Sequence, residues 1–247
     1  MSDCCNNGTH TSYDLLVLGG GSAAFSSAIR ASTLGARVAM INEGAIGGTC
    51  VNVGCVPSKT LIRAAENHHW NGMVRFSGLT SSPGAVQWNE LVRGKDELVE
   101  GLRKAKYIDI LAGLSNVDLI EGRGSLRSTN EVAVNGSTFR GEKILIATGA
   151  RPATPPIPGL LESGAWNSTR ALSAPFLPKR LIVLGGRYIA LELGQMFQRL
   201  GSHVTLIQRS DRILADQDPE VGDGLTTFLE DDGLEVLAGS RILEVLR

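Results

Sequence analysis

Short apolar runs alternate with glycine turns and helix-like stretches along most of this chain. Tyr13 to Leu18 forms the first run, followed at once by Gly19-Gly20-Gly21-Ser22-Ala23-Ala24 and a helical pattern to about Leu34. A second strand is predicted over Arg37 to Asn42. Residues 60–107 read as mainly helical, with a looser insertion around Ser77 to Gly84 and a charged amphipathic helix from Trp88 to about Lys106. Val117 to Ile120, Glu131 to Val134 and Lys143 to Ala147 then carry short strand patterns broken by Gly and Asn, as in an antiparallel excursion that returns to a sheet. Pro152 to Gly159 holds four prolines and predicts an extended crossing segment. Beyond it the opening order repeats: a strand over Arg180 to Leu184, the turn Gly185-Gly186-Arg187-Tyr188-Ile189-Ala190, a helix to Leu200 and a strand over His203 to Gln208.

This order predicts an α/β fold of two Rossmann-like, three-layer domains, the second incomplete. The boundaries expected are a polar tail over 1–12, a first dinucleotide-binding domain over 13–152, a crossing segment over 153–178 and a partial second domain over 179–247. In the first unit the acidic Glu43 lies about 20 residues past the glycines, where the dinucleotide fingerprint places a group that accepts from a ribose hydroxyl. Gly19 permits the tight turn, Gly21 lets backbone approach a pyrophosphate, and the small Ala24 allows helix to pack closely on strand.

The chemistry concentrates between these units, in Gly47-Gly48-Thr49-Cys50-Val51-Asn52-Val53-Gly54-Cys55-Val56-Pro57-Ser58-Lys59. Two thiols four residues apart can close a small disulfide ring, which in a reducing cytosol is more plausibly catalytic than structural. The glycines before Cys50 let backbone pass close to a flat cofactor. The segment ending in Lys59 has the character of a helix start, and a helix N-terminus with a nearby ammonium favours a thiolate.

Composition narrows the partners. The 247 residues are 43% hydrophobic, enough for a sizeable core, and 24 basic residues nearly cancel 25 acidic ones. That balance gives no electrostatic footprint for nucleic acid or an anionic membrane and leaves small molecules as the expected partners. No apolar run approaches bilayer-spanning length, and Met1-Ser2-Asp3 lacks the basic and apolar regions of a signal peptide, so a soluble, cytoplasmic chain is expected.

With two nucleotide folds and a Cys-x4-Cys between them, the sequence resembles the pyridine nucleotide:disulfide oxidoreductases. The redox motif carries the resemblance most specifically, supported by Ala147-Thr148-Gly149 and Leu191-Glu192-Leu193. Within the family the likeness runs furthest to members that reduce mercury(II), through Leu61-Ile62-Arg63-Ala64-Ala65, Lys104-Ala105-Lys106-Tyr107 and Pro155-Pro156-Ile157-Pro158-Gly159. The resemblance implies an FAD site with Gly19, Gly21 and Ala24 at the pyrophosphate and Glu43 with Gly44 at the adenosine ribose. Gly48, Thr49 and Lys59 are then expected along the flavin, with Cys55 against its ring and Cys50 facing the substrate. Gly124 and Thr148-Gly149 are expected to close over the cofactor by backbone contact. Gly185, Tyr188 and Ile189 would serve the nicotinamide nucleotide, and Glu192 would stand near the nicotinamide and flavin edges. The resemblance also implies a fragment, lacking the remainder of the second fold and the interface domain through which family members form homodimers.

At the end of the last predicted strand, Gln208-Arg209 with Arg212 nearby replaces the acidic residue that would bind a ribose 2′-hydroxyl, so NADPH is favoured over NADH. Arg187 stands where the fingerprint usually has its second glycine, and its side chain is expected either to crowd the pyrophosphate or to contact it. The expected reaction passes two electrons from NADPH through FAD to the Cys50/Cys55 disulfide, and the reduced thiolates, as soft donors, then bind Hg(II) for reduction to Hg(0). Cys4-Cys5 in the tail would fit either transfer of mercury inward or an incidental pair. Two alternatives stay open: a small disulfide or lipoyl substrate on the same flavoprotein, and a catalytically silent flavin-binding fragment.

Overall fold

A computed structural model describes residues 12–74 and 77–246. In chain order the elements begin β1 (Ser12–Leu18), α1 (Ser22–Thr33), β2 (Val38–Asn42), α2 (Gly48–Asn52), α3 (Cys55–Gly72) and α4 (Trp88–Arg103). A π-helical turn over Lys104–Ile108 leads to α5 (Asp109–Ala112), β3 (Val117–Glu121), β4 (Ser125–Leu126), β5 (Glu131–Val134) and β6 (Ser137–Ile146). The remainder is α6 (Ser168–Ala171), β7 (Arg180–Leu184), α7 (Tyr188–Arg199), β8 (His203–Ile207), α8 (Pro219–Asp231) and β9 (Glu235–Leu237). Two compact units result: the described residues up to Asn52 with Val99–Arg151, and Val53–Leu98 with the residues from Pro152 onward.

The period-two pattern of β1 and β2 sets the layering of the first unit. Leu16, Leu18, Ala39 and Ile41 face one way, into a cluster with Val132, Val134 and Phe139. Val17, Val38 and Met40 face the other way, onto Ala24, Phe25 and Ala28 of α1. Strands buried on both faces are what a parallel sheet under helices requires. The sheet order is β3-β2-β1-β6-β5-β4, with β1, β2, β3 and β6 parallel and β4 and β5 antiparallel. The predicted antiparallel excursion is therefore present, and it turns back at Asn135 and Gly136. Both have positive φ, at 49° and 84°, the geometry of a two-residue hairpin turn. β6 runs longer than the sequence pattern predicts: its first residues pair with β5 and its later ones with β1, register Leu18↔Ile146.

The second unit holds a three-stranded parallel sheet, β7-β8-β9, with α7 and α8 as its connecting helices. Val204, Leu206, Leu191, Met196, Phe197 and Leu229 meet in its core with Leu61 and Ala65 of α3. α8 starts on Pro219 and is followed by Gly233 at φ 91°, the usual order of a helix start and stop. Asp232 at its end accepts from Gln195 at 2.6 Å and from Arg199 Nε at 2.9 Å, which ties α8 to α7. Trp88 is anchored by donation from its indole N–H to the Ala174 carbonyl at 2.8 Å. No helix among the described residues is long and apolar enough to cross a membrane.

At the amino end of β1, the buried Tyr13 hydroxyl donates to Asp118 Oδ2 at 3.0 Å. Burial first, then the hydrogen bond and charge of Asp118, push Tyr13 from 10.0 up to about 12, against the opposing charge of Arg37. A tyrosine whose folded value exceeds its unfolded value contributes stability that is complete below the unfolded value and is lost as pH rises through the folded one. Between pH 10.0 and about 12, the urea midpoint of the wild type should accordingly fall more steeply than that of Tyr13→Phe. Parallel pH profiles for the two proteins would count against this linkage.

Candidate dinucleotide and dithiol site

The carboxyl ends of β1, β2, β3 and β6 come together at one edge of the first sheet, where β1 leads through α1 to β2 and the chain after β6 leaves the sheet. The carboxyl ends of the strands are where open α/β sheets bind ligands. Gly19 leaves β1 with φ 126°, its N–H bonded to the Ile41 carbonyl at 2.8 Å. A Cβ there would lie 2.1 Å from the Ala147 carbonyl oxygen, so only glycine lets the two strand ends meet.

Gly21 is the N-cap of α1 in extended conformation and makes no side-chain cap. The first helical bond runs from Phe25 N–H to the Gly21 carbonyl, leaving the N–H groups of Ser22, Ala23 and Ala24 without an intrahelical acceptor. An uncapped helix start of this kind receives anions such as a pyrophosphate. Ala24 itself is buried against the sheet, as its small size suggested.

The Cys50 segment docks on this turn through glycines. Gly47 N–H donates to the Gly20 carbonyl at 2.7 Å, and a Cβ on Gly48 (φ 68°) would stand 2.6 Å from Gly21 Cα. Thr49 and Cys50 follow in α2, both exposed. Glu43 and Gly44 are exposed just past β2, and Asn42 donates from its amide to the Gly44 carbonyl at 2.9 Å. Thr148 and Gly149 are exposed beyond β6, with Gly149 at φ 70° and open space where its Cβ would be. Gly124 instead packs on the core: its Cβ would be 2.9 Å from Leu18 Cδ2. The first unit therefore brings Gly19, Gly21, Gly48, Thr148 and Gly149 to one edge.

In the second unit Cys55 is exposed at the first position of the 18-residue α3, after an N-cap, Gly54, that offers no side chain. Cys55 is a free thiol. Lys59, one turn into α3, donates from Nζ to Glu192 Oε2 of α7 at 2.6 Å, so two residues singled out separately in the sequence form one ion pair. Both side chains are about half exposed, which limits the pair to roughly 0–1 kcal/mol of stability and makes it chiefly a positioning contact.

The turn after β7 repeats the logic of the first. Gly185 has φ 111°, Arg187 is an N-cap whose side chain does not cap the helix, and Tyr188 and Ile189 are exposed in the first turn of α7. The Arg187 guanidinium pairs with Asp216, Nη2 to Oδ2 3.2 Å. Arg209 is exposed past β8, whereas Arg212 is partly buried with its Nε lacking a hydrogen-bond partner. Cys4 and Cys5 lie outside the described residues.

Two supporting residues escaped the sequence reading. Asn52 sits inside the redox motif, yet nothing in its type announces that its amide donates to the carbonyls of Ile46 at 2.9 Å and Gly48 at 3.0 Å. Leu214 adopts φ 46° while buried, and its N–H bonds the Gly186 carbonyl at 2.8 Å, pinning the second glycine turn.

The fold and site define a dinucleotide-binding α/β protein with a paired-cysteine motif. Residues 13–247 match the family described as pyridine nucleotide-disulphide oxidoreductase, and the chain belongs to that family. It is 47% identical over 230 residues to a mercuric reductase from Staphylococcus aureus, covering 92% of this chain and 41% of that protein. A mercuric reductase from Serratia marcescens is 40% identical over 246 residues, covering 97% and 53% respectively. Among solved structures, the HOCl-induced flavoprotein disulfide reductase RclA from Escherichia coli superposes with TM-score 0.82 at 33% identity, over 93% of this chain and 49% of that one. The chain thus spans about half the length of these proteins or less.

Gly48→Ala should cost at least about 1–3 kcal/mol, from the left-handed backbone it must hold, with the contact on Gly21 added to that. Chemical denaturation followed by circular dichroism measures it. An unchanged midpoint would show that the two backbones are not held in contact.

Proposed function

We propose that this chain works within an FAD-dependent NADPH oxidoreductase whose Cys50/Cys55 pair cycles between disulfide and dithiol and which reduces Hg(II) to Hg(0) in mercury detoxification. The observation that carries this reading is the docking of Gly48 on Gly21, two residues before Cys50. It puts a thiol-bearing turn against an uncapped helix start suited to a pyrophosphate. Residues 13–152 then form the N-terminal part of the FAD-binding domain, residues 153–178 the crossing segment, and residues 179–247 part of a second, Rossmann-like NADP-binding domain.

The residues fit the groups assigned to them. The free N–H groups at the start of α1, together with Gly19 and Gly21, would hold the FAD pyrophosphate, and Glu43 and Gly44 the adenosine ribose. Gly48, Thr49 and Lys59 would lie along the flavin, and Gly124, Thr148 and Gly149 would close over the cofactor by backbone contact. FAD, when bound, supplies the two-electron relay between nicotinamide and sulfur or metal. Gly185, Tyr188 and Ile189 would take the nicotinamide nucleotide, with the exposed Arg209 suited to a 2′-phosphate. Glu192, by holding the Lys59 ammonium, would orient it without carrying the reaction itself.

The overall balance is NADPH plus Hg(II) giving NADP⁺, a proton and Hg(0), two electrons passing in all. Soft thiolates at Cys50 and Cys55 would hold the metal ion while it is reduced. Cys4 and Cys5 would be further thiolate ligands for mercury in transit. The reading places the reaction in the reducing cytoplasm, in a homodimeric enzyme. The printed name of the Escherichia coli neighbour, a flavoprotein disulfide reductase, favours one second reading, in which a small disulfide replaces Hg(II).

A visible absorption spectrum of the purified chain, taken before and after anaerobic NADPH and then Hg(II), tests the proposal. Flavin bands that develop a long-wavelength thiolate-to-flavin absorbance, and change again with mercury, are the expected result. Loss of the mercury response in Cys50→Ser, with the flavin bands retained, should accompany it. A response to a small disulfide alone would move the assignment to the second reading, and a colourless protein would remove flavin chemistry from this chain.

A further inference from the structure

α2 is only five residues long, too short for a helix to persist on its own propensity, so the backbone that carries Cys50 must be held from outside. Gly47, just before it, and Gly48, its first residue, have φ 106° and 68° and bring no side chains with which to pack. Asn52 closes the turn by donating to the Ile46 and Gly48 carbonyls, one on each side of the two glycines. The remaining functional atom of Asn52, Oδ1, accepts from Arg103 Nη1 at 3.2 Å. Arginine has donors only, and the two carbonyls are acceptors only, so a single orientation of the carboxamide satisfies all three partners.

Arg103 is the last residue of α4, and the π turn that follows carries Tyr107 to the same loop. The Tyr107 ring meets Phe25 of α1 edge to face, with centroids 4.7 Å apart, and its Cδ2 lies 3.4 Å from where a Cβ on Gly47 would be. π turns inside helices frequently mark functional positions. Here the turn lets one helix end bond the loop through Asn52 and set the Tyr107 ring beside Gly47.

We propose that Arg103 is a positioning residue for the Cys50 thiol: acting through Asn52, with Tyr107 as a second anchor, it holds the α2 turn and so sets how Cys50 is presented for reaction. Cys55 needs no such support, because it begins an 18-residue helix with its own packing. The proposal rests on Cys50 being a reacting thiol.

The test is residue-resolved alkylation of the reduced, full 247-residue chain by iodoacetamide across a pH series, read by peptide mass spectrometry. Wild type, Arg103→Met, Arg103→Lys, Asn52→Leu and the Met/Leu double variant are compared, with thermal midpoints alongside. The leverage of one hydrogen bond is about threefold to tenfold. Arg103→Met should therefore shift the pH–rate profile of Cys50 by a change of that size while the Cys55 profile stays in place. Arg103→Lys, which keeps a donor, should restore much of the wild-type profile, and the double variant should match the single ones. A Cys50 profile in Arg103→Met that overlays the wild type would overturn the proposal. So would a common shift of both cysteines that follows the loss of thermal stability. Wild-type Cys50 reacting no faster than free glutathione would count against the redox reading itself, while the comparison of variants still decides the positioning role.

Discussion

The close approach of two backbones, Gly21 at the head of α1 and Gly48 at the head of α2, is the constraint on which the first unit's site depends. A parallel sheet delivers helix starts to its carboxyl edge, but delivery alone leaves a bare anion receptacle. Chemistry requires a reactive group beside it, and an ordinary side chain on either residue would keep the second segment at a distance. Glycine at both positions removes that barrier: the 2.6 Å separation between Gly21 Cα and a notional Cβ on Gly48 shows how little room is left. Gly19 does the same service one step earlier, where the ends of β1 and β6 close on each other.

Glycines that permit an approach do not enforce it, since they also loosen the unfolded chain more than any other residue. Enforcement comes from polar groups with few alternatives. Gly47 donates to Gly20, and Asn52 spans the two left-handed residues. The second unit divides the work in the same manner. Gly185 makes the turn, and the strained Leu214 ties the adjoining Gly186 carbonyl from a loop far along the chain. Each turn thus joins a permissive residue to a specific hydrogen bond, and neither component would define the site without the other.

This division explains what could be read from the sequence. Strands and helices around Tyr13 to Asn42 and Arg180 to Gln208 were legible because hydrophobic period and glycine punctuation agree there. The family followed from residues 47–59, where residue types and spacing are themselves the signal. Partners are another matter. Lys59 and Glu192 were each visible as candidates, yet their pairing depends on α3 packing against α7 across 133 positions of sequence. Arg187 is similar: its type suggested a crowded or contacted phosphate, but not that it would pair with Asp216. The length of β6 and the presence of β4 also went unread, because two different partner strands share β6 and the residues of β4 are too few to show a period.

The ion pair between Lys59 and Glu192 bears on why such a site spreads over two elements of the second unit. An exposed pair contributes little stability. Its effect is directional. An ammonium on a four-carbon stem samples many positions, and a carboxylate on a neighbouring helix confines it to one without removing its charge. A cation held this way lies one turn from the start of α3 and hence one turn from Cys55. Electrostatic assistance in redox and thiol chemistry depends on charges already in place when the reacting groups change, because reorganising them during the step would cost what they contribute. Under the proposed function, the α3 and α7 packing that holds the pair would be as much a part of the site as the residues that face it.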